Sequence, residues 1–200
     1  MNKTPLITVS GPSGGGKDSS LKIILPRRPQ LGILVTTTTR PPRVGELNGV
    51  NYHFRSQQEF IRLITEEKMF EWVKSKSDRY YGTEILAFKS IWSQDNIPIV
   101  NIDLSGVKKI RECYPDTLSI FVMPRKLEEL EERIRARGDM SENEIQKRLE
   151  LAEQEMVSFK ECCDAAFPVS TGKVDVLVSR MLNVIDPYII AHSGNLRIGK

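Results

Sequence analysis

The chain has 200 residues, of which 40% are apolar and 28% are charged. These are ordinary values for a globular protein, and the length suits one compact domain with lobes better than two domains of average size. A net charge of +3 is too small to indicate nucleic-acid binding by itself. No apolar run approaches the roughly 20 residues of a membrane span. The composition therefore predicts a water-soluble protein with neither nucleic-acid nor membrane partners.

The cysteines and the first apolar stretch bear on the compartment. The three cysteines, Cys113, Cys162 and Cys163, are an odd number without metal-ligand spacing, and neighbours in sequence rarely bridge each other. Residues 6–9 are too short for the core of a secretory signal and run directly into a glycine-rich loop. Both features predict a cytoplasmic protein.

The first predicted elements are a strand, a glycine-rich loop and a helix. Residues 6–9 are apolar and partly β-branched, which is typical of a buried strand. Residues 11–17 match the front of the P-loop pattern G-x-x-x-x-G-K-[ST], and a helix is expected from Lys17 until Pro26 ends it. Glycines let successive N–H groups wrap an anion, the helix N-terminus adds partial positive charge, and the lysine reaches the outer phosphates. The candidate residues of this triphosphate site are Gly11, Pro12, Ser13, Gly14, Gly15, Gly16, Lys17, Asp18 and Ser19.

Residue 18 departs from the P-loop pattern. The motif has Ser or Thr here, whose hydroxyl binds Mg²⁺, and this chain has Asp18. A carboxylate is a good hard ligand for Mg²⁺, but it also adds negative charge beside a triphosphate. Asp18 is therefore a candidate metal ligand, and Ser19 can supply the hydroxyl instead. In a third interpretation, Asp18 is a first-turn acid that the helix dipole favours and that points away from the site.

Residues 33–82 differ in character from the segments around them. β-rich pieces at 34–39, 50–54 and 70–73 are separated by Gly and Pro. The stretch 56–59 reads Ser-Gln-Gln-Glu, which is the spacing of a capping box and predicts one helix among these strands. We expect this segment to form a lobe of its own.

The second half of the chain returns to alternating strands and helices. The predicted elements are strands at 97–102, 118–122 and 165–169 and helices at about 106–113 and 174–185. Residues 125–157 are highly charged and have helical periodicity on both sides of a turn, which predicts a helix-turn-helix hairpin. Residues 187–200 show no clear periodicity. The alternation predicts an α/β fold with a parallel sheet.

Between the first helix and residue 83, several motifs follow one another in a fixed order. They are Thr36-Thr37-Thr38-Thr39-Arg40-Pro41-Pro42-Arg43, Gly45-Glu46, Gly49-Val50-Asn51-Tyr52-His53-Phe54, Phe70-Glu71-Trp72 and Tyr80-Tyr81-Gly82-Thr83. In motif order and spacing the chain resembles guanylate kinase, from about residue 6 to at least residue 160. The resemblance implies a three-layer P-loop NTPase fold with a parallel core sheet, a mostly β GMP-binding lobe and a helical lid.

The same resemblance divides one domain, residues 1–186, into three parts. These are a core at about 1–33, 84–124 and 158–186, a GMP-binding lobe at about 34–83 and a lid at about 125–157, with 187–200 as a C-terminal tail. The resemblance also implies ATP and GMP as substrates and Mg²⁺ as cofactor. We expect a monomer or a homodimer.

The resemblance assigns the GMP contacts, and the chemistry of these side chains supports the assignment independently. The expected GMP-binding residues are Thr36, Arg40, Arg43, Tyr52, Glu71, Tyr81, Gly82, Thr83, Asp103 and Arg148. A monophosphate that approaches an anionic triphosphate needs cations and hydroxyl donors, which arginine forks and tyrosines supply. The two oxygens of Glu71 can accept from N1–H and the 2-amino group of guanine, whereas adenine presents a lone pair at N1. No general base is expected, because the acceptor oxygen is already ionised.

The strand that ends near residue 102 contributes further candidates. Asp103 follows this strand at the edge where doubly wound sheets place ligands, so it can act on Mg²⁺ through water or on GMP. The family usually has a second acid at the position of Asn101. Because Asp18 adds an acid near the metal and Asn101 removes one, we hypothesise that the local charge stays balanced.

The arginines of the predicted lid complete the candidate site. By resemblance, lid closure brings Arg133, Arg137 and Arg148 over the phosphates, where arginines stabilise charge on the transferring group. The expected catalytic residues are Lys17, Arg40, Arg137 and Arg148, and ATP contacts are also expected from Arg133 and Arg137. Residues 170–173 read Ser-Thr-Gly-Lys where the family commonly has an Asn-Asp-Asp-like turn, so adenine contacts there stay open.

Two other functions fit part of the pattern. Ribose 1,5-bisphosphate phosphokinases are similar in fold and carry Gly-Lys-Asp-Ser in the same loop, but they lack the full guanine-reading set. Guanylate-kinase-like interaction modules without catalysis are typically degenerate in the P-loop, whereas Lys17 is present here.

Overall fold

The structure, a computed structural model, describes residues 4–75, 78–136, 138 and 140–193. Its strands are β1 (Ile7–Ser10), β2 (Leu31–Leu34), β3 (Thr37–Thr38), β4 (His53–Phe54), β5 (Met69–Lys74), β6 (Tyr80–Glu84), β7 (Ile97–Asn101), β8 (Leu118–Pro124) and β9 (Ala165–Val169). Its helices are α1 (Lys17–Arg27), α2 (Gln57–Thr65), α3 (Ile85–Trp92), α4 (Leu104–Cys113), α5 (Leu127–Arg135), α6 (Glu142–Ser158) and α7 (Val174–His192).

A five-stranded parallel sheet forms the centre of the described part of the chain, in the order β2-β7-β1-β8-β9. Every residue of β1 is buried, as expected for a strand covered on both faces. Val9 of β1 lies opposite Asn101 of β7, so the carboxyl ends of these two strands meet at one edge of the sheet. The P-loop and the start of α4 follow directly from those ends, which places the candidate site there.

Helices cover both faces of this sheet. Leu21 and Ile24 of α1 pack with Met181 and Ile185 of α7 in one apolar cluster against the strands. On the opposite face, a second cluster joins α3 and α4 to strand residues; its buried members are Leu6, Leu34, Phe88, Val100 and Ile110. The predicted three-layer α/β fold with a parallel core sheet is confirmed. Among the described residues, no helix combines the length and the apolar character needed to cross a bilayer.

A second sheet of four strands, in the order β4-β3-β6-β5, makes up the predicted β-rich segment. The predicted helix is present as α2, and Ser56 and Glu59 form the full capping box. The predicted strand at 34–39 is wrong. Leu34 ends the edge strand of the core sheet, and Thr37–Thr38 pairs in the second sheet, because the chain crosses between the two sheets at residues 35–36.

The charged hairpin of residues 125–157 is present as α5 and α6, which enclose a small apolar core of their own. Its buried members are Leu130, Ile134, Ile145 and Ala152. The turn between the helices contains Arg137 and Asp139, which lie outside the described residues.

Two expectations about helices are wrong, and one helix was not predicted. The first helix does not stop before Pro26, because Pro26 sits in the last turn of α1. Helix α3 had no sequence prediction. The last helix was expected to end at residue 185, but it runs on through Pro187 to His192, since Ile185 and Ile189 bury one face against the sheet. The predicted tail at 187–200 therefore begins inside a helix, and residues 194–200 lie outside the described part.

Candidate active site

The P-loop joins β1 to α1 with a backbone that only glycine tolerates at its first position. Gly11 has a φ of 136°, and a Cβ on it would lie 1.9 Å from the carbonyl oxygen of Val122. The side chain of Lys17 turns back over the loop, where Nζ donates to the carbonyls of Gly11 at 2.5 Å and Pro12 at 3.0 Å. The lysine is thus placed over the concave side of the loop, where a triphosphate would offer it better acceptors.

Two polar residues near the start of α1 are in direct contact. The Nδ2 group of Asn101 donates to Oδ1 of Asp18 at 2.6 Å. Asp18 lies in the first turn of α1, and the exposed Ser19 is next to it. The Asp103 carboxylate instead caps α4, accepting from the Gly106 N–H at 2.8 Å and from the Ser105 hydroxyl at 2.7 Å.

A buried carboxylate lies in the second sheet. Glu71 is only 4% exposed, and Oε1 accepts from the Thr83 hydroxyl at 2.7 Å. Burial raises the pKa of the Glu71 carboxyl, an effect that the Thr83 hydrogen bond partly offsets. The close approach of β5 and β6 requires glycine at position 82, since a Cβ there would lie 2.5 Å from the Glu71 carbonyl oxygen. The structure therefore brings Glu71, Gly82 and Thr83 together as the sequence predicted, with Thr36 at the crossing between the sheets.

Arg40 is a buried cation with a defined orientation. Its side chain is held by Glu46, whose two carboxylate oxygens each lie 2.9 Å from Nη2. The guanidinium also stacks against the rings of Tyr52 and Phe54, with ring centres at 5.4 and 5.7 Å. Burial would raise the pKa of Glu46, but the Arg43 N–H and the Arg40 guanidinium outweigh it and lower that pKa.

The two candidate tyrosines meet edge to face, with Tyr52 and Tyr81 ring centres 6.3 Å apart. Burial first, and then the negative charge of Asp18, raises the pKa of the Tyr52 hydroxyl. Tyr52 therefore stays protonated and available as a hydrogen-bond donor at neutral pH.

A cavity of about 250 Å³ opens between the second sheet and the hairpin of α5 and α6, which is the predicted lid. Four arginines line it, namely Arg40, Arg43, Arg79 and Arg148, together with Pro41, Pro42, Met140 and Glu144. The cluster of positive charge predicts an anionic ligand, and its size suits a phosphate group.

The lid hairpin also contacts the P-loop. Arg148 of α6 donates to the Ser13 hydroxyl at 2.8 Å, and Arg133 of α5 donates to the Gly14 carbonyl at 3.1 Å. Arg148 therefore joins the triphosphate loop to the arginine-lined cavity. The predicted contacts of Arg137 lie outside the described residues.

From the sequence, no role was assigned to three charged residues of this region. Arg79 lines the cavity, and Glu46 orients Arg40. Glu155 lies in the field of Lys17 and Asp103, and burial raises its pKa while Lys17 lowers it. The sequence did contain a signal for Glu155. It lies seven residues after the candidate Arg148 in the same helix, and residues seven apart share a helix face.

Comparisons with known proteins agree with this geometry. A family model described as guanylate kinase matches residues 2–181. A guanylate kinase of Synechococcus sp. strain JA-3-3Ab is 41% identical over 151 residues, which cover 76% of this chain and 69% of that protein. A guanylate kinase of Prochlorococcus marinus subsp. pastoris is 35% identical over 184 residues, covering 92% of this chain and 98% of that protein.

Solved structures show the same fold. The crystal structure of guanylate kinase from Anaplasma phagocytophilum matches with a TM-score of 0.72 at 23% identity, covering 92% of this chain and 85% of that one. Shikimate kinase from Acinetobacter baumannii matches with a TM-score of 0.51 at 13% identity, covering 92% of this chain and 94% of that one. The fold and the loop thus define a P-loop kinase. Within that class, the family model and the relatives show that this chain belongs to the guanylate kinase family.

Proposed function

We propose that this chain transfers the terminal phosphoryl group of ATP to the phosphate of GMP, giving ADP and GDP. The observation that carries the proposal is the position of Arg148. Its guanidinium is bonded to Ser13 of the P-loop and also lines the arginine-rich cavity of the second sheet. One side chain is thus in reach of both a donor and an acceptor phosphate.

On the donor side, the loop amides from Gly11 to Gly16 and the Lys17 ammonium bind the ATP phosphates. Lys17 exchanges its bonds to the Gly11 and Pro12 carbonyls for bonds to phosphate oxygens, which carry more negative charge. The turn at 170–173 is tied to α5 through the Thr171 N–H and Glu129, at 3.3 Å, and we assign no adenine contact to it.

On the acceptor side, the GMP phosphate is bound by Arg40 and Arg43, with hydroxyl donors from Tyr52 and Tyr81. Glu46 holds Arg40 in place before the substrate arrives, which reduces the ordering that binding requires. Glu71 accepts hydrogen bonds from the guanine edge, and Thr83 and Thr36 flank it. Because adenine would leave a buried carboxylate facing a lone pair, this site discriminates against AMP.

Positioning and electrostatics account for the chemistry. The acceptor oxygen is ionised, so the protein has no proton to remove and needs only to hold two repelling anions in line. Charge that spreads over the transferring group is stabilised by Lys17, Arg148 and, by resemblance, Arg137. Arg133 and Arg148 also hold the lid hairpin against the P-loop, which excludes water that would otherwise accept the phosphoryl group.

The donor set of the site fits Mg²⁺. Asp18, Ser19 and Asp103 present hard oxygen ligands at the edge where β7 and β1 end. The described residues contain no group of three or more His, Cys, Asp or Glu side chains that would hold a metal unaided. This agrees with the usual mode of Mg²⁺, which arrives with nucleotide phosphates and takes one or two protein carboxylates. When bound, the ion neutralises charge on the β- and γ-phosphates.

The test is turnover with a choice of acceptors. Purified protein is incubated with ATP, magnesium and either GMP, AMP or ribose 1,5-bisphosphate, and the products are separated by chromatography. We expect GDP from GMP, little product from AMP and none from the ribose compound, with Lys17→Met inactive. Product from ribose 1,5-bisphosphate without GDP would identify the ribose 1,5-bisphosphate phosphokinase alternative, and GMP binding without any product would identify a binding module. Cytoplasmic location and a monomeric or homodimeric state stay predictions of the sequence.

A further inference from the structure

The two residues that depart from the expected pattern, Asp18 and Asn101, touch each other. P-loops place a hydroxyl at position 18, and the guanylate kinase resemblance places an acid at position 101. In this chain the carboxylate is on the helix and the neutral residue is on the strand, joined by a 2.6 Å hydrogen bond from Asn101 Nδ2 to Asp18 Oδ1. Relative to the pattern that the P-loop motif and the resemblance imply, the acid and the neutral residue have exchanged positions across the Asn101–Asp18 hydrogen bond.

The exchange conserves the charge and the hydrogen-bonding groups that a metal site at this edge of the sheet needs. Either arrangement contains one carboxylate, one neutral hydrogen-bond donor and a pair charge of −1. Changing only position 18 would put two carboxylates in contact, and changing only position 101 would leave none in the pair. Each departure is therefore unfavourable alone and balanced by the other.

We infer that Asp18 and Asn101 act as one unit, in which Asp18 is the carboxylate ligand for the divalent cation of the bound nucleotide and Asn101 is the residue that positions it. The inference rests on the proposed function, since it assumes a metal–nucleotide donor. Asn101 engages Oδ1 of Asp18, and a carboxylate has a second oxygen for the metal or its water. A hydrogen bond to a ligating carboxylate fixes its orientation, as partners of metal ligands generally do.

The other two candidate ligands are less well placed for this task. Asp103 is the N-cap of α4, and hydrogen bonds from Ser105 and Gly106 hold its carboxylate toward that helix, whereas Asp18 lies in the first turn after the P-loop. Ser19 is rotated about 100° around α1 from Asp18, because an α-helix has 3.6 residues per turn. Asp18 is the acid that lies beside Lys17 and is held by the neighbouring strand end.

The test is a double-mutant cycle read by binding, with wild type, Asp18→Ser, Asn101→Asp and the double variant. The affinity for a non-hydrolysable ATP analogue is measured by calorimetry with Mn²⁺ and again with chelator, and the ratio is the metal-dependent gain. Asp18→Ser restores the hydroxyl ligand of other P-loops but leaves the Asp18–Asn101 pair without a carboxylate, so we expect it to reduce this gain about tenfold. The double variant, which has a carboxylate at position 101, should return to within about threefold of wild type. Asp18→Asn, which keeps the size of the side chain, should match Asp18→Ser.

Thermal unfolding of the nucleotide-free proteins gives a second readout. Asn101→Asp places two carboxylates in contact, so its melting temperature should fall. The double variant should recover, because the hydroxyl introduced by Asp18→Ser can donate to the new acid. A full metal-dependent gain in Asp18→Ser, or a loss confined to a Ser19→Ala variant, would overturn the inference. So would a double variant that melts no higher than Asn101→Asp. None of these measurements needs turnover. Failure to form GDP would therefore contradict the proposed function, whereas the inference about Asp18 and Asn101 is decided by the binding and unfolding data alone.

Discussion

At the scale of single residues, the buried carboxylate of Glu71 has a cost in stability, and we propose that it also reads guanine. Burial raises the pKa of its carboxyl, and the hydrogen bond from Thr83 offsets that only in part. Between the pKa of the unfolded chain and the raised pKa of the folded protein, the native state binds more protons, so the free energy of unfolding falls as pH rises. Above the folded pKa, the penalty for a buried charge is present in full. Guanine would offset it by donating two hydrogen bonds.

We therefore predict that Glu71→Gln separates binding from stability. The apo variant should unfold at the same temperature as wild type or higher at neutral pH, since the buried charge is removed while Thr83 keeps an acceptor. Its kcat/KM for GMP should fall roughly 10²-fold, with little change for AMP. The matched control is Glu84→Gln, because Glu84 accepts from Thr37 at 2.8 Å in the same sheet without belonging to the guanine set. Equal losses in both variants would contradict the role of Glu71.

The same residue predicts a pH dependence of substrate binding. Protonation removes an acceptor oxygen from Glu71, so GMP affinity should weaken on acidification through a pKa above the ordinary glutamate value. Calorimetric titrations of GMP at a series of pH values measure this. The slope should disappear in Glu71→Gln once the ionisation of the GMP phosphate itself is subtracted, and a slope that survives would assign the effect to another group.

Arg79 is a cation of the arginine-lined cavity that sequence motifs did not point to. We predict that Arg79→Ala raises the KM for GMP about five- to tenfold and leaves kcat within about twofold, because it removes a phosphate-facing charge without touching the donor loop. Arg62→Ala is the control, since Arg62 is ion-paired to Glu66 on the exposed face of α2. An unchanged KM in Arg79→Ala would place this side chain outside the phosphate site.

At the scale of elements, the P-loop shows how packing dictates a glycine. Gly11 needs both its left-handed backbone and the space beside Val122 of β8, whereas Gly45 has a φ of 83° and no atom within 4 Å of a built Cβ. The two positions share a positive φ and differ in steric contact. Comparing them separates backbone strain from a clash.

We predict that Gly45→Ala lowers the free energy of unfolding by about 1 kcal/mol, and Gly11→Ala by about 3 kcal/mol or more. Chemical denaturation followed by circular dichroism gives both values. Similar losses for the two variants would mean that β1 and β8 can move apart at low cost.

The secondary-structure elements also differ in how far the local sequence determines where they begin and end. The capping box at Ser56 and Glu59 is encoded within four residues, and α2 starts where it predicts. Helix α7 passes through Pro187 instead of ending before it, because Tyr188 bonds to the Leu6 N–H at 3.0 Å and to the Asp116 carbonyl at 2.7 Å. Those partners are distant in sequence, so no local pattern could predict the true end of the helix.

At the scale of the whole molecule, the lid and the P-loop form a joint structure. A Cβ on Gly14 would lie 3.2 Å from Leu130 of α5, so the apolar face of the hairpin packs directly on the loop. Arg133 and Arg148 add polar contacts to Gly14 and Ser13. The hairpin and the P-loop therefore share both apolar and polar contacts.

We predict that Arg148→Met lowers kcat about 10²- to 10³-fold with a smaller change in the KM for ATP, because the charge it supplies is needed most in the transition state. Arg135→Met is the matched control. Arg135 also belongs to the hairpin, but it pairs with Glu131 and Glu142 within the hairpin. Steady-state kinetics of both variants distinguish the two explanations. A comparable fall in kcat for Arg135→Met would show that the stability of the hairpin, and not the charge of Arg148, limits the rate.

The sequence alone was enough to predict the fold class, the P-loop and the family, all of which are confirmed. Glycine spacing, strand periodicity and the ordered motifs at 36–83 depend on neighbours in the chain, so they are visible in the sequence. The roles of the individual site residues stay predictions that the experiments above test.

Three features depended on the tertiary structure. It placed Asn101 against Asp18, Arg148 against Ser13, and Arg79 in the arginine-lined cavity. Each of these contacts joins residues that strand order or the packing of the α5–α6 hairpin brings together. Such contacts produce no periodic pattern in the local sequence. Two departures that look independent in the sequence, at positions 18 and 101, become one hydrogen-bonded pair only because β7 lies beside β1 in the sheet.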